Sequence, residues 1–548
     1  LSSDSPEVLI VGAGPTGLSL ALQLHRYKIA FRIIDQKKGP STESRAFGIH
    51  ARTLEIFDQL GVIKEILREG QSLKGFNYKT VKRTIHFSAE GLIQSKYGFI
   101  WILAQSKIES ILAAKLSEYG IEVEWEHQLE AFHEKNNVIH CQLNRGDGEG
   151  EEENVHYLIG CDGAHSKVRE GAGIRFSGGT YPNFWLLADC FIDWEKKIDG
   201  GLIRFDAQGL TGFIPLGEHL GRLMFELPAV KTFEDLPKPD LNLVRKVMVE
   251  RGFKALKVNC DEWITFFKLH HKVASHFQKG NIFIAGDAAH IHSPIGALGM
   301  NTGIQDVANL AWKLSLVLKE KAPRKLLESY NSERKKVGAN VVKFTDMLMR
   351  FFRSSNPYLI WLKEYVLPFF LEKKVVRKRF FNKLSGINID YSGSPIVNDR
   401  WLTSSWKKVD YRVKAGQRID NYQFKPLHFE KCIYLFDLLK SENHQLLLLS
   451  GCPDERLDLV KLKNIYRLWM DEYRDVIDVH FIFHEQYALN SIEYKTSIFI
   501  DYENKLHSAF ECEKPGLILI RPDGYIGFRS HPVDQSYLEE YLFDIFKM

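Results

Sequence analysis

An α/β fold is predicted, with a parallel nucleotide-binding sheet first, a β-rich domain set into it, and a smaller α/β domain at the C-terminal end. Three observations predict it. An apolar run at 7–11 enters Gly12-Ala13-Gly14-Pro15-Thr16-Gly17, Leu18, Leu20, Ala21 and Leu24 follow at helical spacing, and a second apolar run at 30–34 ends in Asp35. That is G-x-G-x-x-G inside a complete β-α-β unit, the Rossmann-type arrangement. A strand-rich block at 181–226 carries Phe184, Trp185, Phe191, Trp194, Phe205, Phe213 and Phe225, the residue types that suit a pleated surface. After a weakly periodic stretch at 391–406, strands and helices alternate again from about Lys407.

Bulk properties narrow the classes. A chain of 548 residues is too long for one core, so two or three domains are expected. Lys and Arg number 73 against 69 Asp and Glu, which offers nucleic acid no basic footprint. The seven cysteines form neither a C-x-x-C pair nor a Cys/His cluster. No metal site and no disulfide scaffold are expected, and a reducing compartment, the cytoplasm, fits. No signal-peptide pattern stands before the first strand. The greasiest stretch, 358–370, is broken by Lys363, Glu364 and Pro368, so no transmembrane segment is expected. The run 356–381 is apolar first and basic afterwards. Because those halves follow rather than oppose each other, it reads as a helix covering the core, not as a membrane-surface helix.

Within the first unit, Gly12 permits a tight turn, Gly14 lets backbone approach a pyrophosphate, and Gly17 lets helix and strand close up. Asp35 stands where an acid can hold a ribose hydroxyl, with Gln36 beside it. A guanidinium at Arg45 can take phosphate bidentately, and Gln105, in the first turn of a helix at 107–119, can donate to it. The runs 122–132 and 138–144 read as strands continuing the first sheet, and Gly/Glu-rich 145–154 as a solvated hairpin tip. A strand at 156–159 ends at Asp162-Gly163, with Ser166 capping the next helix. A second acid-glycine corner, Gly286-Asp287, ends the apolar run 281–285. Past it, Pro294, Gly296, Ala297 and Gly299 keep a loop low, and a helix begins after Met300, capped by Asn301 or Thr302. An acid at a strand end suits a polyol, and a helix start suits an anion. In the C-terminal domain the element order suits a thioredoxin-like fold, but Gly451-Cys452-Pro453 supplies one thiol where that fold carries two. The domain is therefore expected to be structural or an oligomer contact, in a homodimer.

Three motifs in this order, GAGPTG with Asp35, CDGAHSKVR, and AGDAAH…P…GMN, resemble the para-hydroxybenzoate hydroxylase-like flavoprotein monooxygenases over nearly the whole chain. The tail LIRPDGYIGFR is similar to the C-terminal domain of their phenol, 3-hydroxyphenylpropionate, polyketide and rifampicin hydroxylase branch. The resemblance implies an FAD-binding domain at 5–72, 103–178 and 270–355. It implies a substrate-binding domain at 73–102 and 179–269, a helical segment and linker at 356–400, and a thioredoxin-like domain at 401–548 lacking a dithiol. It implies FAD lying on Gly12, Gly14, Pro15, Thr16 and Gly17, with Asp35 and Gln36 at the ribose and backbone near Gln128 and Leu129 at the adenine. Arg45 and Gln105 match pyrophosphate contacts, and Asp162 and Gly163 a motif linked to FAD and nicotinamide. Gly286 and Asp287 match the ribitol, and Gly299, Met300 and Asn301 the pyrimidine edge of the flavin. Pro294 would face a small aromatic substrate. The aromatic block itself, with Phe205 and Phe213, reads as a wall for an apolar substrate. The implied reaction uses NADH or NADPH and dioxygen to hydroxylate a phenolic or polyketide-like ring through a hydroperoxyflavin.

Two departures stand out. Relatives often carry Gly-Gly or a polar residue where this chain has Ala297-Leu298, and some carry an acid at the position of Phe47. The group that deprotonates a substrate is thus not named by the motifs, and Arg204, His292 and Tyr181 are the candidates. Two other functions stay open on the residues alone: a flavin oxidoreductase that never activates dioxygen, and a non-catalytic FAD-binding interaction protein.

Overall fold

The computed structural model describes residues 6–41, 46–80, 83–194, 200–206, 209–228, 235–252, 256–354, 356–402, 413–427, 431–452, 462, 464–467, 472–485 and 497–546. The chain divides into two compact units, one of residues 1–25, 30–307 and 334–387, the other of 26–29, 308–333 and 388–548.

In the first unit a six-stranded sheet runs in the order Gln278–Lys279, Ile282–Ile284, Tyr157–Gly160, Val8–Val11, Phe31–Asp35, Glu124–Trp125. Every pair is parallel except the hairpin at the 278–279 edge. Val8–Val11, Tyr157–Gly160 and Ile282–Ile284 are buried at every position, as unbroken apolar runs in a sheet covered on both faces must be. The first strand sits between partners reached in opposite directions, which is a topological switch point. Val11 pairs with Ile34 and Gly160, and Gly160 with Ile284, so four strands end in step.

Only Glu124–Trp125 extends this sheet from the region expected to continue it. His127–Lys135, Val138–Arg145 and Gly150–Val155 instead form a separate antiparallel sheet, and the expected hairpin tip at 145–154 contains its third strand. The acidic run is ordered by alternation: Glu151 and Glu153 lie on one face and both accept from Arg32, at 2.8 and 2.6 Å. Arg32 also meets Glu124 at 2.8 Å, so these carboxylates form an edge network rather than a solvated loop.

An eight-stranded sheet runs His290–Ile291, Leu256–Ala274, Phe176–Trp194, Leu220–Glu226, Gly209–Pro215, Gly201–Asp206, Phe76–Lys79, Thr84–Phe87. Its two faces bury different clusters. Phe205, Leu210 and Ile214 pack with Leu298, Phe381 and Leu384. Phe213, Leu223 and Phe225 pack with Val244, Val247 and Met248 of the helix Leu241–Glu250. Among the described residues no helix is long and apolar enough to cross a membrane.

The second unit holds another eight-stranded sheet, in the order Asn398–Trp401, Ile526–His531, Gly516–Ile520, His444–Leu449, Ile477–Phe483, Ser497–Asp501, Gln423–Pro426, Ile433–Tyr434. Asn398–Trp401 lies in the stretch expected to be a linker and is instead an edge strand beside Ile526–His531. The hairpin at Pro522-Asp523-Gly524 forms where the turn residues place it, with Gly524 at φ +76°. Beneath it the Arg521 guanidinium donates to Glu333 at 2.7 Å and Asp523 at 2.9 Å, and Lys313 and Asn309 donate to the same Glu333 carboxylate at 2.8 and 2.6 Å. Arg521, Glu333 and Lys313 are fully buried.

Candidate functional site

Because four parallel strands end in step, the residues that follow them share one edge of the sheet. These are Gly12, Asp35, Cys161–Asp162 and the turn Gly286–Ala288. Gly12, at φ +104°, lies so near Cys161 that a methyl carbon there would stand 2.4 Å from the Cys161 carbonyl oxygen. A methyl carbon on Gly17 would stand 1.8 Å from the carbonyl oxygen of Gly12. Gly14 is the contrast, for nothing lies within 4 Å of where its methyl carbon would be. Two of the three glycines are thus required by protein packing, and the third borders open space. Pro15 opens the helix Pro15–Arg26, where its missing N–H costs nothing.

Thr16 joins the two ends of the sequence pattern. Methyl carbons built on Gly286 and Gly303 would lie 2.7 and 2.5 Å from its hydroxyl oxygen, so both glycines pack directly on Thr16. The glycine loop and the acid-glycine corner near position 286, far apart in the chain, are one structure. A buried network braces that corner. Asp306 accepts from the Gly286 N–H at 3.1 Å, from His290 Nε2 at 2.7 Å and from Arg334 Nε at 2.7 Å. Burial alone would raise the Asp306 carboxyl, but Arg334 and His290 outweigh it and hold it below its ordinary range. The motifs do not point to Asp306 or Arg334.

Asp35 accepts the Ala13 N–H at 2.7 Å and the Lys37 N–H at 2.9 Å, and Gln36 beside it is exposed. Asp162 accepts the Val168 N–H at 3.1 Å through one oxygen, while its other oxygen, Oδ1, is buried without a partner. Burial raises its carboxyl above the usual range. Gly163 follows at φ +77° with open space around it. Gln105 accepts from the Ala46 N–H at 3.2 Å and donates to Glu109 at 2.8 Å; Glu109 in turn takes the Ser41 N–H at 2.8 Å. Arg45 lies outside the described residues. The Leu129 side chain is buried in the three-stranded sheet opposite Leu143, which leaves only its backbone for a ligand. Asp287 is exposed.

The helix at the far end is Gly299–Leu318, one turn earlier than the sequence predicts, so Asn301 lies inside it and is not its cap. Its amide instead ties two stretches of backbone together. It accepts from the His50 N–H at 2.9 Å and donates to the carbonyls of Gly48 and Ala297 at 2.8 and 2.7 Å. The first N–H groups of a helix have no partner within it, so Gly299, Met300 and Asn301 present donors. Pro294, half-buried, accepts the Ala297 N–H at 2.9 Å. Ala297 itself sits at φ +52°, a region that favours glycine.

Three residues were candidates to deprotonate a substrate. Tyr181 donates to Asp346 at 2.6 Å, and Arg204 to the Arg251 carbonyl at 2.9 Å. His292 Nδ1 contacts the Ser293 carbonyl at 2.9 Å. A carbonyl only accepts, so Nδ1 carries the proton and Nε2 the lone pair. That Nε2 is buried without a partner, 3.6 Å from where a methyl carbon on Gly299 would stand. Burial pushes this imidazole down to about 4, and does the same at His50.

Phe205 and Phe213 do not share a face. Phe205 stacks on Phe352 at 3.9 Å in the cluster that holds Leu298, with half-buried Phe47 and Ile295 packed against it. Phe213 is fully buried in the opposite cluster. Leu210 and Phe213 are an odd number of residues apart on one strand, and successive strand side chains point to opposite faces. Sequence reasoning also missed Asp189 and Arg222. They are a buried bidentate pair at 2.7 Å, with the guanidinium 5.2 Å from the Phe47 ring.

A switch-point sheet with a glycine loop, an acid at each neighbouring strand end and a helix start beyond them is the geometry of a dinucleotide-binding protein. A family model described as FAD binding domain matches residues 5–345, and the chain belongs to that family. The 6-methylpretetramide 4-monooxygenase of Streptomyces rimosus is 32% identical over 413 residues, 72% of this chain and 72% of that one. Pentachlorophenol 4-monooxygenase of Sphingobium chlorophenolicum is 28% identical over 542 residues, 95% of this chain and 93% of that one. Among solved structures, aklavinone-11 hydroxylase in complex with FAD and aklavinone superimposes with a TM-score of 0.77 at 21% identity, covering 99% of both chains. The last likeness is one of fold. The chain is an FAD-dependent monooxygenase that draws on NAD(P)H.

Proposed function

We propose that this enzyme uses NADH or NADPH and dioxygen to hydroxylate a phenolic or fused polyketide-type aromatic. The observation that supports the reading is the Thr16 contact with Gly286 and Gly303, which joins the glycine loop to the acid-glycine corner and to the helix Gly299–Leu318. FAD fits there on the chain's own terms: Gly14 leaves room for a pyrophosphate, and Asp162 Oδ1 is a buried acceptor still without a donor. Bound there, FAD would supply the redox chemistry, hydride acceptance from the nicotinamide and activation of dioxygen, with one oxygen atom going to the ring and the other to water.

The residues divide the remaining work. Gly12, Gly14, Pro15, Thr16 and Gly17 seat the pyrophosphate, and Gln105 stands on its side; the Arg45 guanidinium is the group the sequence offers to the same phosphate. Asp35 and Gln36 hold the adenosine ribose, with backbone at Leu129 near the base. Asp162 and Gly163 flank the nucleotide, and Gly286 and Asp287 take the ribitol. Gly299, Met300 and Asn301 offer helix-start N–H groups to the edge of the ring that gains negative charge on reduction. Pro294 and Phe205 border the substrate, and the cluster around Leu298 and Phe205 excludes water from it. Phe213 is not carried into this site. His292 Nε2 accepts a hydroxyl proton in a hydrogen bond and so orients the aromatic; an imidazole near 4 is too weak a base to ionise it. The relatives' names, which include rifampicin monooxygenase of Rhodococcus hoagii, support aromatics from single rings to polyketides. In the C-terminal unit, three parallel strands followed by two antiparallel ones, from Ser497–Asp501 across to Ile526–His531, support a thioredoxin-like fold.

The test is a screen of phenols and fused aromatics for stimulated nicotinamide oxidation by the FAD-loaded enzyme, read with product mass. Gain of one oxygen atom by a stimulating compound is expected. Stimulation that persists without dioxygen, with no product oxygen, would overturn the reading.

A further inference from the structure

The segment 356–384 does two things at once. One side covers the core as predicted: Phe381 and Leu384 are buried in the cluster that contains Phe205, and Leu367, Leu371 and Phe380 pack against it. The other side does not. Tyr358, Trp361, Tyr365 and Phe369 recur every three or four residues through the helix Pro357–Trp361, a π-type turn Leu362–Val366 and the helix Leu367–Glu372. They are 66%, 49%, 48% and 53% exposed, and Ile360, Phe370 and Val375 beside them are exposed as well. The rings face one another, with Tyr358 6.0 Å from Trp361 and Trp361 6.1 Å from Tyr365. Soluble proteins rarely leave so many aromatic rings contiguous and wet.

Charge along this segment is one-sided. The segment carries seven Lys and Arg against two Glu. Lys363 is turned inward, donating to the carbonyls of Phe352 and Ser354 at 2.9 and 3.0 Å. The other six, Lys373, Lys374, Arg377, Lys378, Arg379 and Lys383, belong to the turn after Glu372 and the helix Lys374–Leu384. Of the acids, Glu372 faces Arg83 at 3.8 Å and Glu364 lies within the aromatic stretch.

We propose that this face rests on an anionic lipid bilayer, with the Tyr, Trp and Phe rings at headgroup level and the basic helix against the anionic headgroups. Tyr and Trp suit that depth because each pairs an apolar ring with a polar atom. The charge argues against a second copy as the occupant. A two-fold dimer through this patch would set the patch against itself and bring two basic helices together.

The experiment is co-sedimentation of the FAD-loaded enzyme with vesicles of phosphatidylcholine alone or mixed with phosphatidylglycerol, at low and high salt. Two variants accompany it, Trp361→Ser/Phe369→Ser/Phe370→Ser and Lys373→Glu/Lys374→Glu/Arg379→Glu. These side chains are largely at the surface, so an unchanged melting temperature and basal nicotinamide oxidation establish that each variant is folded. Expected are binding to the anionic vesicles that weakens with salt, at least a tenfold loss in the aromatic variant, and loss of anionic preference in the charge-reversed one. No binding, equal binding to neutral vesicles, or a dimer in sedimentation equilibrium that the aromatic variant alone dissociates would each overturn the proposal.

Discussion

Gly14 and Gly17 are the same residue type in one loop, yet different neighbours account for them. A methyl group on Gly17 would collide with the Gly12 carbonyl, while one on Gly14 meets nothing from the protein. Gly14→Ala is therefore expected to keep the melting temperature of the FAD-free protein and weaken FAD at least tenfold, a loss of about 1.4 kcal/mol. Gly17→Ala should lower the melting temperature with or without FAD. Titration of stripped protein, paired with thermal melts, separates the two. Ala297 makes a second case. At φ +52° it holds a backbone conformation that costs a residue with a Cβ about 1 kcal/mol. Ala297→Gly should stabilise the enzyme by up to that amount in urea unfolding; a destabilised variant would show that the methyl contact with Gly48 matters more. His292→Ala should raise KM for a hydroxylated substrate roughly tenfold, the worth of one buried hydrogen bond. Nicotinamide oxidation without substrate should not change. A fall in both rates would mean that the imidazole supports the flavin site instead.

Among the elements, the C-terminal hairpin shows how a turn motif can hide a core. Asp523 is a good turn residue. It also neutralises a fully buried arginine that faces Glu333. Burial alone would raise the Glu333 carboxyl, but Arg521 and Lys313 hold it well below its ordinary range. Removing one member of such a pair leaves a charge stranded, at a cost of about 3–5 kcal/mol. Glu333→Ala should accordingly lose about that much in denaturant unfolding, whereas replacing the exposed Glu130 should lose almost nothing. The helix Gly299–Leu318 gives the opposite lesson. Its periodicity was readable, but its start was not, because Asn301, a good capping residue, spends its amide on backbone from Gly48 to His50 instead. Likewise the aromatic block was readable as a sheet, while the face each ring takes depends on register, which separates Phe205 from Phe213.

For the molecule as a whole, acid sensitivity follows from buried neutral histidines. His50, His292 and His480 are pushed down to about 4 by burial, and His444 to about 3. In the unfolded chain each takes its proton near 6.5. Between those values the unfolded state binds more protons, so their contribution is complete above about 6.5 and is lost as pH falls toward 4. Asp306 and Glu333, held low, lose theirs at still lower pH; Asp162, raised by burial, acts in the opposite sense. Melting temperature should fall steadily from pH 6.5 to pH 4.5, and a flat profile over that range would count against buried neutral imidazoles. The sequence by itself determined what depends on short spacing. The β-α-β unit, the glycine loop, the acid at each strand end and the C-terminal hairpin all follow from local geometry and periods of 2 and 3.6 residues. Only the tertiary structure decided which polar groups meet across the chain: Asp306 with Arg334, Glu333 with Arg521, Thr16 with Gly286. It alone also decided that Trp361 and Phe369 are left uncovered by the rest of the chain. Spacing along a chain fixes a side chain's direction relative to its neighbours, but burial and partnership depend on what arrives from far away.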